Sequence, residues 1–200
     1  MIFDKKDFIL CKRGAYSQEG CEYAIKFFEK RNDKQVPGAM GGYGYHEIDH
    51  ERKKCVEMYL KRDEYTFFED VLQGCMREYR EKYPYTKHMA TYDIDPAIKM
   101  QRYYPGEGYF AEHCENCMAE DIRRIFAWMI YLNDVTDGGH TVFPHQNRKF
   151  QPKMGDVLIW PAYFTHTHYG MTSKTQTKYI ATGWFSAIED PIGSHFMQPQ

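Results

Sequence analysis

Between Tyr109 and Glu115 the chain reads Tyr-Phe-Ala-Glu-His-Cys-Glu, which sets His113 and Glu115 two residues apart. On an extended strand, positions i and i+2 project from one face, so this imidazole and carboxylate would reach the same metal ion. A second histidine from elsewhere would complete a two-histidine, one-carboxylate triad, which leaves positions open on a non-haem iron(II). The same triplet also suits a solvated edge strand, so it does not decide the matter alone. His166 and His168, within Phe164-Thr165-His166-Thr167-His168-Tyr169-Gly170, are the candidates for the remote ligand, and both also suit surface or hydrogen-bonding roles. Lys178 opens the segment Lys178–Trp184, where Lys178, Ile180, Thr182 and Trp184 share one face. An ammonium on an apolar face is costly unless it meets an anion. That anion is either an ion-pair partner or a bound dicarboxylate; the remaining option is an ammonium snorkelling to the sheet edge. A structural zinc site using His113, Cys114 and Cys117 is a competing reading. It suffers because no second Cys-x-x-Cys closes a tetrahedron.

These residues need a scaffold, and the apolar pattern describes one. Up to about residue 90 the spacing is helical. Cys21, Ala24, Ile25 and Phe28 follow a possible Ser17 N-cap, and Phe68, Val71, Leu72, Cys75, Met76 and Tyr79 repeat the pattern ahead of Pro84. A third, weaker helix is expected over Glu51–Lys61. The stretch Pro37–Tyr45 holds four glycines and is read as a mobile loop, a candidate lid whose Tyr43 and Tyr45 would grip a substrate. From Ile98 onward the period becomes two. Ile98, Met100, Arg102 and Tyr104 alternate with Lys99, Gln101 and Tyr103. Further strands are expected at Tyr109–Glu115, Arg124–Leu132, Thr141–Phe143, Val157–Trp160 and Lys178–Phe185. The expected fold is mainly β with N-terminal helices, a double-stranded β-helix (jelly roll) buttressed by helices on one sheet. Residues 1–200 would form one domain, with helical support over about 1–90 and the β core over about 98–186.

Composition narrows the function. The 200 residues are 42% hydrophobic, 27% charged and 16% aromatic, as a globular chain requires. A net charge of -2 supplies no basic field for nucleic acid. The longest apolar run, Ile125–Leu132, falls short of the ~20 residues that cross a membrane. Charged residues in Met1–Asp7 leave no secretory signal there, so a cytoplasmic setting and free thiols are expected for the six cysteines.

The order of motifs resembles the iron(II)/2-oxoglutarate-dependent dioxygenases, in their prolyl 4-hydroxylase-like branch, over roughly Ile98–Phe185. The blocks are Tyr103–Tyr109, His113-Cys114-Glu115, Ile130–Asn133, Gly138–Pro144, Pro152–Asp156, the His168 and Lys178 pair, and Tyr179–Trp184. The resemblance implies iron(II) held by His113, Glu115 and His168. His168 is preferred to His166 because its spacing to Lys178 matches the family. It further implies that Lys178, Tyr131 and Tyr104 bind 2-oxoglutarate, with His166 and Trp184 supporting a ligand or touching substrate. The resemblance also implies O2 as the oxidant and leaves room for ascorbate as an accessory. The implied activity is hydroxylation of an unactivated C–H bond, foremost in a prolyl residue of a peptide or protein. The alternatives are a free amino acid or other small molecule as substrate, or an inactive jelly-roll metal-binding module. Two positions depart from the pattern: Glu115 stands where relatives carry aspartate, and His140, read as a surface histidine, stands where they carry an acidic or polar residue.

Overall fold

A computed structural model of the chain describes residues 7–40 and 47–188, so Tyr43, Tyr45 and most of the glycine-rich loop lie outside the described residues. Helix α1 spans Gln18–Glu29, and the Ser17 side chain accepts a hydrogen bond from the Gly20 amide, satisfying one of the unpaired first-turn donors. Helix α2 spans Thr66–Lys82 and buries Phe68, Leu72, Cys75, Met76 and Tyr79. It stops at Tyr83, ahead of Pro84, whose ring disfavours helical backbone in the residue before it.

The strands in chain order are β1 (Leu10–Lys12), β2 (Val36–Pro37), β3 (Lys53–Lys54), β4 (Val56–Tyr59), β5 (Tyr92–Ile94), β6 (Lys99–Tyr103) and β7 (Gly108–Tyr109). They continue as β8 (Arg124–Tyr131), β9 (Thr141–Phe143), β10 (Arg148–Phe150), β11 (Val157–Pro161), β12 (Tyr169–Gly170) and β13 (Lys178–Ala187). The main antiparallel sheet has the order β1-β11-β8-β13-β6-β4-β2, with β5 paired to the end of β13. A smaller sheet, β10-β9-β12, faces it, and β3-β7 forms a separate ribbon. This is a jelly roll.

Alternation assigns the two faces of the main sheet. Trp128 and Ile130 of β8, Val157 and Ile159 of β11, and Ala181 and Phe185 of β13 pack with the buried stripes of α1 and α2. Ala127, Tyr131, Leu158, Trp160, Ile180 and Trp184 point the other way, toward Phe143 and Phe150 of the small sheet. The helices thus close the outer face and leave the inner face to a cavity. Gly183 is a packing requirement, since a Cβ there would lie 2.7 Å from the Trp128 ring.

Two expected elements differ. Glu51–Lys61 is not a helix but contains β3 and β4. Lys53, Cys55 and Glu57 alternate into the interior, and Lys53 Nζ donates to Glu57 Oε2 at 2.8 Å with both side chains 1% exposed. Buried charges at alternate positions hid the period of two that apolar residues would have displayed. Tyr109–Glu115 is a strand only at its start, and it continues as irregular backbone tied to β12's approach by a His113–His168 bridge. Pro37, where the loop was expected to start, is paired in β2 against β4.

Candidate active site

Backbone pairing brings the two distant histidines together. The His113 amide donates to the His168 carbonyl at 3.0 Å, and the His168 amide returns a bond to His113 at 2.8 Å. Two residues on, the Glu115 amide donates to the Ala162 carbonyl, which turns the carboxylate to the same side as His113. Glu115 Oε1 then lies 3.4 Å from His113 Nε2 and 3.3 Å from His168 Nε2. The ligand atoms of His113, Glu115 and His168 all fall within 4.8 Å of one another.

The hydrogen bonds on the far side of each ring settle what these atoms offer. His113 Nδ1 donates to the Ala111 carbonyl at 2.9 Å, and His168 Nδ1 donates to the His166 carbonyl at 3.1 Å. A carbonyl only accepts, so each Nδ1 carries a proton, and it is Nε2 that each ring would offer to a metal ion. Burial and the neighbouring His168 lower the pKa of His113, which favours its neutral form. Burial pushes the Glu115 carboxyl up, but its contacts with His113 and His168 outweigh that and hold it well below the usual carboxylate range. Two ring nitrogens and an anion therefore converge on one point, an arrangement that a divalent cation relieves. The donor set fits iron(II) with open positions.

The surrounding residues hold the triad rigid. Trp184 Nε1 donates to Glu115 Oε2 at 2.8 Å, leaving Oε1 to face the histidines. The Arg124 guanidinium sits 3.5 Å from the centre of the Trp184 ring and pairs with Asp121, which holds it half-buried at the start of β8. Tyr109 stacks on His113 at 3.7 Å, and Phe143 and Trp160 pack on His168. The longer Glu115 side chain is accommodated because the indole anchors its outer oxygen.

The same cavity, about 760 Å³, is lined by His113, Glu115, His168 and Lys178. Lys178 is 4% exposed; its Nζ donates to the Gly139 carbonyl at 3.2 Å and lies 4.5 Å from the centre of the Tyr103 ring. Among the described residues no carboxylate pairs with it. Burial pushes its pKa down to about 8. A buried ammonium facing a cavity with only a carbonyl and a ring for company is a site for an anion.

Several residues sit differently from expectation. Tyr104 is 44% exposed and lies beside Arg102, outside the cavity lining, whereas its neighbour Tyr103 lines the cavity. The reason is register: Tyr103 shares the inward face of β6 with Gln101, to which its hydroxyl donates at 2.8 Å. Tyr131 is buried, and its hydroxyl donates to Thr141 Oγ1 at 2.6 Å, so Thr141 rather than Tyr131 meets the cavity. His166 stands apart from the triad. Its Nε2 donates to the Asp7 carbonyl and its Nδ1 bonds the Thr165 hydroxyl, which occupies both nitrogens. His140 is half-buried rather than a surface residue. Cys114 and Cys117 form a disulfide, against the expectation of free thiols, so neither offers a thiolate to zinc. Lys99 and Arg124 line the cavity from outside every motif block, and Tyr103 and Thr141 line it from within blocks that gave them no role.

Residues 98–186 match the model of the 2OG-Fe(II) oxygenase superfamily. A protein of Acanthamoeba polyphaga mimivirus, assigned by its name to the prolyl 4-hydroxylases, is 33% identical over 112 residues, 47% of this chain and 46% of that protein. The match thus spans about half the viral relative's length. Among solved structures, the viral collagen prolyl hydroxylase of Paramecium Bursaria Chlorella virus-1, in complex with 2OG, superposes with a TM-score of 0.68 at 22% identity. That match covers 94% of this chain and 100% of the other. A Trichoplax adhaerens prolyl hydroxylase in complex with a hypoxia inducible factor peptide gives a TM-score of 0.70 at 13% identity, covering 98% and 89%. At these identities the structures establish a shared fold.

No described helix is long and apolar enough to cross a membrane.

Proposed function

We propose that the chain is an iron(II)- and 2-oxoglutarate-dependent hydroxylase acting on a prolyl residue of a peptide or protein. The observation that carries this reading is the coincidence, in one cavity, of a His113–Glu115–His168 cluster and a buried, carboxylate-free Lys178. When bound, iron(II) and 2-oxoglutarate supply the oxidising power, with O2 consumed and succinate and carbon dioxide released. The protein's part is positional. His113, Glu115 and His168 would hold the metal, and their Nδ1 and Oε2 partners keep each ligand atom aimed. Lys178 would receive the far carboxylate of the cosubstrate, and Thr141, fixed by the hydrogen bond from the Tyr131 hydroxyl, lines the same cavity. Tyr109, Phe143 and Trp160 wall the histidines with apolar surface and keep water from the reacting centre.

A peptide substrate is supported by the prolyl hydroxylase names of the viral relative and of the structural neighbours. The cavity is also larger than a five-carbon diacid needs, and it continues past Trp184 to Tyr59 and Lys99 on β4 and β6. The test is turnover. Succinate formation should require iron(II), 2-oxoglutarate and a proline-containing peptide, with the peptide gaining the mass of one oxygen atom on proline. Oxygen gained on a free amino acid and on no peptide would reject the peptide assignment.

A further inference from the structure

The carboxylate of the proposed metal site sits inside a cross-linked ring. The disulfide joins Cys114 to Cys117, so Glu115 and Asn116 are the residues enclosed between the sulfurs. The four other cysteines are free; Cys21, Cys55 and Cys75 are buried and Cys11 is half-buried. The bonded pair is the accessible one, with Cys117 exposed, and both its members line the cavity that holds His113, Glu115 and His168. No strand or α-helix supports this segment between Tyr109 and Arg124. Its backbone is tied at His113 and Glu115, and the Asn116 side chain donates to the Ile122 and Arg124 carbonyls. The bond that closes the loop around the carboxylate is therefore one that a solution reductant can reach.

We propose that Cys114–Cys117 is a reversible redox site that sets how firmly Glu115 is held toward the two histidines, with the disulfide the tight metal-binding state. The proposal rests on the reading of His113, Glu115 and His168 as metal ligands. Reduction is thiol–disulfide exchange with a dithiol. A thiolate of the reductant attacks the exposed Cys117 sulfur, the S–S bond breaks, and Cys114 leaves as a thiolate that takes up a proton. The second thiol of the reductant, as thiolate, attacks its partner's sulfur in the mixed disulfide and releases Cys117. Two electrons and two protons pass to the cysteine pair, and the dithiol becomes a disulfide. Hydrogen peroxide reverses this: one thiolate becomes a sulfenic acid, which condenses with the other thiol, and the two steps together yield two waters. Opening so short a ring releases chain entropy that corresponds to at most roughly twentyfold in the closed population. The Asn116 and Trp184 bonds oppose the loosening, so the effect on metal affinity is expected at about three- to tenfold.

The test is anaerobic Mn(II) titration followed by electron paramagnetic resonance. It compares air-oxidised protein, protein reduced by a phosphine and then desalted, and the Cys114→Ser/Cys117→Ser double variant. Alkylation in denaturant followed by mass spectrometry counts the thiols in each sample. The proposal expects two fewer thiols in the oxidised protein, tighter Mn(II) binding there than in the reduced protein, and recovery on peroxide treatment in wild type but not in the double variant. Equal Mn(II) affinity in the oxidised and reduced wild type would overturn it, whatever the folding of the variant. So would a full complement of alkylatable cysteines in air-exposed protein. Absence of Mn(II) binding in both redox states would instead reject the metal-site reading, and the proposal with it.

Discussion

Cosubstrate affinity should fall steeply above about pH 8, because the proposed anchor is a lysine that burial has already brought close to neutrality. Lys178 has its pKa pushed down to about 8 by desolvation, with no carboxylate beside it to restore the charge. The distal carboxylate of 2-oxoglutarate binds the ammonium form, so binding at higher pH must first protonate the lysine. Affinity is thus retained below pH 8 and declines about tenfold per unit above it, about tenfold in all between pH 7 and pH 9. The assay is isothermal titration of 2-oxoglutarate into Mn(II)-loaded protein without O2, in buffers of differing ionisation enthalpy. Proton uptake should approach one per bound molecule near pH 9 and vanish near pH 7. Lys178→Arg, whose cation does not titrate in this range, should remove the pH dependence. A flat affinity profile in wild type, or the same decline in Lys178→Arg, would refute the anchor assignment. The sign for folding is opposite. A folded pKa below the unfolded value means that the unfolded chain binds more protons between about pH 8 and 10.5, so ligand-free protein gains about 3 kcal/mol across that window.

Further outcomes follow from the same geometry. Trp184→Phe removes the donor to Glu115 Oε2 and should weaken Mn(II) binding about ten- to hundredfold, read by titration. His166→Asn should leave Mn(II) affinity unchanged and lower stability by about 1 kcal/mol, since its two hydrogen bonds are structural. Glu57→Leu leaves Lys53 buried and unpaired and should cost about 3–5 kcal/mol in urea unfolding. Adding Lys53→Met should recover most of that loss. Gly183→Ala places a methyl against the Trp128 ring and should cost about 1–3 kcal/mol by the same measurement.

The legible parts of the fold were those where apolar residues alternate without interruption. In β8 and β11 the residues are apolar on both faces, and in β13 Ile180 and Trp184 alternate with Ala181 and Phe185, so the strands stand out along the chain. The same alternation put Lys178 and Trp184 on one face, and that face proved to be the inner one. β3 and β4 were hidden because their inward positions are Lys53 and Glu57, whose mutual neutralisation is a tertiary fact invisible along the chain. Tyr103 and Tyr104 are adjacent tyrosines of opposite orientation. Periodicity separates them, but only the folded sheet says which side is the cavity. His166 and His168 are distinguished by what their ring nitrogens touch, which depends on Asp7 and Glu115, far away in the chain. The Cys114–Cys117 bond was masked by a compartment argument that speaks to cysteines in general and not to two sulfurs held at adjacent turns of one loop.

The central claim is that one metal ion and one dicarboxylate share the cavity between the two sheets. The most direct measurement is a crystal structure of the protein grown without O2 in iron(II) and 2-oxoglutarate, with anomalous data at the iron edge. The account predicts one anomalous peak bonded to His113 Nε2, a Glu115 carboxylate oxygen and His168 Nε2, with the distal carboxylate of 2-oxoglutarate on Lys178 Nζ. A peak on His166 or on the cysteine sulfurs, or a cosubstrate whose carboxylates leave Lys178 untouched, would contradict it.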